Sequence, residues 1–221
     1  RVTMMVTTAA DGWRAPLAIV GKYARPRCFN LVHYCPIAYT NQKNAWFDRR
    51  VMTWWLSNVF LPAHRKRNGD VYAILILDNF SAHDIDYSQL SDCLIVLFLP
   101  PNVTSRAQPA DMGLIASLKV GYKTIYLREL LLIFDTDGGY EAAARLRQRQ
   151  PVGCKGLAFG GKPHLIDCIM ILKDIWDRNT GKYVSVEGIR RCWRKADILP
   201  VSWNADINNM VGSASSPEKV K

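Results

Sequence analysis

Apolar positions along this chain recur with two periods, and the switches between them mark the elements. Residues Arg1–Ala9 are rich in Val, Thr and Met and read as a strand. Ala10-Asp11-Gly12 is a tight-hairpin signal, and Ala15–Tyr23 reads as the partner strand. Pro26 and Pro36 bracket a loop with a short strand expected around Asn30–His33. From Asn41 to Phe60 the period becomes helical. Phe47, Val51, Trp55 and Val59 recur every four residues with Trp54 beside them, which makes one apolar stripe. That stripe assigns Trp46, Trp54 and Trp55 to packing rather than to base stacking. His64–Asp70 reads as a basic, polar loop.

Two short apolar runs follow. Val71–Leu77 ends in Asp78 and suits a buried central strand. Cys93–Leu99 is a second run, stopped by Pro100 and Pro101. Gln108-Pro109 opens a long helix, because proline at the first helical position has its φ already set. The helix is expected to reach about Ile133, with Ile115, Leu118, Tyr122 and Ile125 on its inner face. Asp135–Pro163 is Gly-rich and polar and reads as a loop with one short helix. Leu165–Asp177 and Val186–Leu199 read as helices. The second turns Ile189, Cys192, Trp193 and Ala196 inward and Arg190, Arg191, Arg194 and Lys195 outward. From about Asn204 the residues are small and polar, as in a disordered tail. Hairpin, helix, strand, strand, helices is an α/β order with a mixed sheet.

Composition narrows the function. With 221 residues, 49% hydrophobic and 22% charged, the chain suits one compact domain and not a disordered one. No apolar run approaches the roughly 20 residues of a membrane span, and no signal-peptide pattern opens the sequence. The net charge of +10 points to a polyanionic partner, most often nucleic acid. The six cysteines (Cys28, Cys35, Cys93, Cys154, Cys168, Cys192) form no CxxC pair, so neither a zinc site nor a disulfide framework is indicated. Reduced thiols in the nucleus or cytosol fit best.

Two carboxylates stand where phosphodiester chemistry wants them. Two-metal cleavage needs acidic oxygens converging on ions about 3.5–4 Å apart. Mg²⁺ takes oxygen ligands and keeps several waters, so two or three carboxylates serve. Asp78 closes a packed strand, although Asp-Asn at a strand end is also an ordinary turn. Asp111 lies just inside the helix opened by Pro109, although an acid there also stabilises the helix dipole. They are 33 positions apart, with one strand and a proline-rich loop between, which lets both meet at one sheet edge. Gly156–Lys162 has P-loop spacing, but Pro163 stands where Ser or Thr would bind the metal and no strand precedes it. It reads as a flexible loop.

Longer segments carry a family resemblance. Leu77-Asp78-Asn79-Phe80-Ser81-Ala82-His83 resembles the "LDN-x-x-x-H" segment of DDE-type transposases of the Tigger/pogo/jerky, centromere protein B-like group. Leu99-Pro100-Pro101-Asn102-Val103-Thr104-Ser105 and Gln108-Pro109-Ala110-Asp111-Met112-Gly113 resemble that group's "LPPN-x-TS…QP-x-D-x-G". The hairpin Ala10–Gly12 with Pro26–Phe29, the Asn41/Ala45/Trp46 spacing and Cys192–Ala196 with Ile198-Leu199 agree in order.

The resemblance implies an RNase H-like core, here lacking its first strand, followed by C-terminal helices. It divides the chain into a core over 1–134, a variable loop over 135–164, helices over 165–203 and a tail over 204–221. Asp78 and Asp111 would be the second and third catalytic, metal-binding aspartates, using Mg²⁺ or Mn²⁺. Asn79 and His83 would lie near the site, His83 either contacting DNA phosphate or serving as a capping or core residue. Asn102 would satisfy backbone groups in the Pro-Pro loop, and Gln108 would cap the helix rather than read DNA. Arg106, in the loop just before Asp111, and Lys119, Lys123 and Arg128 along the helix after it would track DNA, unless they form only a solvated face.

The first aspartate of the family lies upstream of the stretch matching Arg1–Ala9. Asp11, at a hairpin tip, does not replace it. The expectation is therefore a fragment that cannot hold two metals on its own. DNA is the implied partner, a homodimer is left open, and neither a membrane nor a small-molecule substrate is expected. The nucleus is the implied location. The rival reading is a domesticated, non-catalytic DNA-binding or chromatin protein of the same group; an unrelated RNase H-like nuclease ranks last.

Overall fold

The computed structural model describes residues 1–31, 34–83, 85–88, 90–101, 103–134, 164–177 and 182–199. The architecture is mixed α/β, with two small sheets and helices against them. β1 (Thr3–Met5) pairs antiparallel with β2 (Ala18–Gly21), and β2 pairs parallel with β3 (Ala38–Asn41). β4 (Ala73–Leu77) and β5 (Leu94–Phe98) form a separate parallel pair in register, Ala73 opposite Leu94 and Leu77 opposite Phe98. The Asp-Gly hairpin forms: Ala9 N donates to Trp13 O at 2.8 Å and Gly12 N to Ala9 O at 3.0 Å. Gly12 sits at φ +95°, which an L residue rarely adopts.

Period-two alternation splits β1 and β2 between two cores. Met4, Leu17 and Ile19 face one, made with α4 (Leu114–Phe134), α5 (Leu165–Asp177) and α6 (Val186–Ala196). Met5 and Ala18 face the other, made with a continuous helical stretch over residues 49–68. That stretch is α1 (Arg49–Trp55), a π turn (Leu56–Phe60) and α2 (Leu61–Asn68). Asp48 caps it, its Oδ1 accepting from Val51 N at 2.9 Å. Its inner residues Met52, Trp55, Leu56 and Phe60 share a core with Leu75, Leu77 and Leu94. One helical stretch therefore packs on β2 and on the β4–β5 pair at once.

Several expected boundaries move. Asn41 ends β3 rather than starting a helix, which begins at Arg49. His64–Asn68, expected as a loop, is helical to Gly69. His64 is buried there because its Nε2 meets Val71 O at 2.7 Å and its ring stacks on Phe60. In place of a strand near Asn30, a 3₁₀ turn spans Arg27–Leu31 and seats Cys28 and Phe29 in the core; Val32 and His33 lie outside the described residues. β3 has no counterpart among the expected elements.

β4 is not buried on both faces: Ile74, Ile95 and Leu97 are 48, 45 and 50% exposed on its outer side. Trp55 is fully buried as expected, but Trp46 is exposed beneath Arg1, which lies 4.9 Å from its ring. The expected helix from Pro109 divides in two. A short α3 (Thr104–Ala107) precedes a 3₁₀ turn at Pro109–Met112, and α4 starts only after Gly113, at φ +127°. α5 has the expected bounds, and α6 ends at Ala196. Asn102, Gly156–Pro163 and the expected tail lie outside the described residues.

Candidate active-site groove

The β4–β5 pair delivers Asp78 to the end of a fixed strand. Leu99 N continues the ladder to Leu77 O at 2.8 Å, so the backbone before Asp78 is held up to its last residue. The chain then turns through a 3₁₀ turn at Ser81–His83, closed by His83 N donating to Phe80 O at 2.8 Å. This brings His83 back over Asp78. Its Nδ1 lies 2.9 Å from Asp78 Oδ1 and 3.1 Å from Asp78 O. The ring is buried, edge-on to Phe80 and Phe47 with centroids 5.7 and 6.1 Å away. The Asp78 side chain keeps 30% of its surface open, and Asn79 beside it is exposed.

Asp78 and His83 open on a groove of about 530 Å³. One wall is Thr3–Asp11, the other Ala73–Asp78, and Gln108–Ala110 contribute further lining. Trp193 and Leu199 also line it. Trp193 is anchored there by donating Nε1 to Thr8 Oγ1 at 3.2 Å. Asp111 follows this lining directly in sequence but is exposed and not part of it. It belongs to the 3₁₀ turn and not to α4, so the expected dipole role at the start of a long helix does not apply. Gln108 makes no side-chain cap bond, contrary to its expected capping role; its carbonyl accepts from Asp111 N at 3.0 Å.

Asp11 also lines the groove, but its oxygens are engaged. Oδ1 accepts from Trp13 N at 2.9 Å, Oδ2 pairs with Arg67, and the carbonyl accepts from Arg190 Nε at 2.9 Å. Arg67 also lies 5.0 Å over the Trp13 ring. Arg67 and His64 were hidden by the loop expected over that stretch. The overlooked signal was three basic residues, Arg65, Lys66 and Arg67, followed by Gly69, a common helix ending.

Arg106, Lys119, Lys123 and Arg128 are all exposed. Lys119 and Lys123 share one face of α4, but five residues further on Arg128 is turned by roughly 140°, so it leaves that stripe. Arg106 sits in α3 rather than in a loop.

A second cavity of about 600 Å³ lies between residues 12–17, Pro36–Ala38 and the end of α5, and none of the expected site residues lines it. Its charged groups are spent locally, Lys173 on Asp177 and Arg14 Nη1 on Val184 O at 3.2 Å. Burial lowers the Arg14 pKa against the opposing pull of Asp177. The groove beside Asp78 is the better candidate, because it holds a part-open carboxylate with a fixed partner. Among the described residues no three His, Cys, Asp or Glu side chains cluster as a metal would need. By themselves they do not fit a two-metal centre.

Comparison with known proteins settles the family. The model of the DDE superfamily endonuclease family matches residues 1–193. The chain belongs to that family. Within it, the similarity runs to the Tigger/pogo/jerky group. The Jerky protein of Mus musculus is 36% identical over 122 residues, 52% of this chain and 22% of that protein. The Jerky protein homolog of Homo sapiens is 34% identical over the same length. Tigger transposable element-derived protein 7 of Homo sapiens is 29% identical over 147 residues, 61% of this chain and 27% of that protein. The aligned stretches of this DDE-family chain thus span about a quarter of these relatives' lengths. No solved structure matches it. Among its described residues no helix is long and apolar enough to cross a membrane.

Proposed function

We propose that this chain is the DNA-acting part of a DDE-type transposase, built on an RNase H-like sheet, with Asp78 and Asp111 as two of its catalytic carboxylates. The groove carries the reading. Among the described residues β1 pairs only with β2 and β4 only with β5, yet both line the same groove. An extended segment seated between them would pair with both open edges and join the two sheets into one. The same segment would supply a further carboxylate beside Asp78, which the described residues lack. With that ligand added, Mg²⁺ or Mn²⁺ would activate the attacking oxygen and stabilise the leaving one. In this scheme residues 1–134 form the core and 165–203 the helices packed on it. DNA would lie along exposed Arg106, Lys119 and Lys123, drawn by the +10 charge, in the nucleus.

Three measurements test this. Fluorescence anisotropy on duplex DNA should give binding that weakens steeply with salt. Asp78→Asn in a longer protein carrying this chain should abolish DNA cleavage while leaving DNA binding intact; cleavage that survives overturns the reading. The chain alone should show no metal-dependent nicking, and nicking lost in Asp78→Ala would remove the need for an added strand.

The second reading is a DNA-binding protein that keeps this fold without the chemistry. Its supporting observation is Asp111, exposed in a short turn and outside the groove lining.

A further inference from the structure

We propose that His83 is a positioning residue for Asp78. Its Nδ1 edge, tied to Asp78 O, holds the carboxylate through the 2.9 Å approach to Oδ1 and leaves Oδ2 for a ligand. The inference rests on the reading of Asp78 as a catalytic carboxylate, and it goes further by assigning how that carboxylate is aimed.

The argument begins with acceptors. His83 Nδ1 hydrogen-bonds the backbone O of Asp78 at 3.1 Å, and Oδ1 of the same residue stands 2.9 Å from it. A backbone carbonyl and an ionised carboxylate can only accept. Nδ1 must therefore carry the proton, and in the neutral ring Nε2 does not. The partner's bond sets the tautomer of a histidine, and here both candidate partners are acceptors.

The ring has little freedom to do otherwise. His83 is 9% exposed and stands edge-on between Phe80 and Phe47. Its backbone is tied at both ends. Its N–H donates to Phe80 O, and its carbonyl accepts from Ile85 N at 3.0 Å and from the Tyr87 hydroxyl. A donor held this firmly fixes the side-chain torsion of Asp78 before any ligand arrives. Among the described residues, no other side chain pairs with the Asp78 carboxylate. A histidine that only filled core space would not need its polar edge on a part-open carboxylate of the groove.

The test has a metal-free arm and a metal arm. In alkaline buffer, where imidazoles are neutral, ¹⁵N-resolved NMR of the wild-type chain should show the Nδ1–H tautomer of His83. Its Nδ1 proton should be protected and at low field, and should move upfield in Asp78→Ala. The opposite tautomer, or a proton unmoved by Asp78→Ala, overturns the proposal.

In the second arm, Mn²⁺ is titrated into a longer protein carrying this chain, and paramagnetic broadening near Asp78 is followed. Outer-shell partners of a ligand typically matter by roughly 10- to 100-fold in metal affinity, so His83→Leu should weaken binding by that order. His83→Asn, which keeps an N–H donor, should recover part of it. Loss of Mn²⁺ in Asp78→Asn with none in His83→Leu sinks the positioning role and leaves the carboxylate reading standing. Mn²⁺ broadening unchanged in Asp78→Asn sinks the carboxylate reading, while the tautomer still decides the bond.

Discussion

Gly12→Ala tests how the groove wall is held. Gly12 is at the tip of the hairpin that carries β1, at φ +95°. A Cβ added there would stand 2.5 Å from Val186 Cγ1 and 3.1 Å from Val186 O, at the start of α6. Two costs follow. Left-handed backbone costs an L residue about 1–2 kcal/mol. Forcing an extra methyl into a packed contact costs about 1–3 kcal/mol. The sum is about 2–5 kcal/mol, or roughly 4–20 °C in Tm for a chain of this size.

The helix has little room to yield. Ser185 caps it through Gly188 N at 2.8 Å, and Arg190 holds the hairpin through Asp11 O. Val186→Ala removes the methyl that the added Cβ would strike. In that background Gly12→Ala should cost less, about 1–2 kcal/mol for the backbone plus what remains of the 3.1 Å contact with the carbonyl at position 186. Urea denaturation followed by tryptophan fluorescence on the four chains of the cycle measures the coupling. A Gly12→Ala within about 0.5 kcal/mol of wild type, the usual spread of a neutral surface change, would refute the reasoning. So would strict additivity with Val186→Ala, since touching residues should couple.

Three further outcomes are expected. Trp176 is buried and donates Nε1 to Ala15 O at 2.8 Å, joining α5 to the hairpin. Trp176→Phe leaves that carbonyl unpaired and should cost about 1–3 kcal/mol in urea denaturation; a neutral result contradicts it. Lys119→Ala with Lys123→Ala should flatten the salt dependence of DNA binding by about 2 in slope, roughly 0.9 per lost phosphate contact. An unchanged slope removes both lysines from the DNA path. Burial raises the Tyr122 phenol and the Cys168 thiol above their ordinary values, and the two share a hydrogen bond. Folded chains then hold protons that unfolded ones release. Stability is full below the ordinary thiol pKa of 9.0 and falls as pH rises past it. Tm measured from neutral to strongly alkaline pH should drop, and less in Tyr122→Phe; a flat profile contradicts this.

What the sequence determined by itself was local. Asp-Gly at positions 11 and 12 specifies a hairpin whatever surrounds it, because its turn geometry is a property of those residues. The apolar runs before Asp78 and Pro100 became strands, and the stripe in Leu165–Asp177 became a helix with the expected bounds. The motifs around Asp78 and Asp111 indicated the family without any coordinates.

Tertiary contacts decided the rest. Arg65–Arg67 reads as a polar loop until His64 finds Val71 O and Phe60, which draw the helix onward to Gly69. β3 was missed because Ala38–Asn41 is too short to declare a period, and its strand exists through pairing with β2. Gly113 broke the helix expected from Pro109, and that break put Asp111 in a turn of its own.

The pairing of His83 with Asp78 is the clearest case. Five positions of spacing cannot say whether a histidine faces its neighbour or the solvent. The direction of its ring is set by Phe47, drawn in from a distant part of the chain, and by the turn that Phe80 and Tyr87 close. Periodicity and turn chemistry act over a few residues and are legible in the sequence. The aim of a side chain depends on groups that only folding brings together.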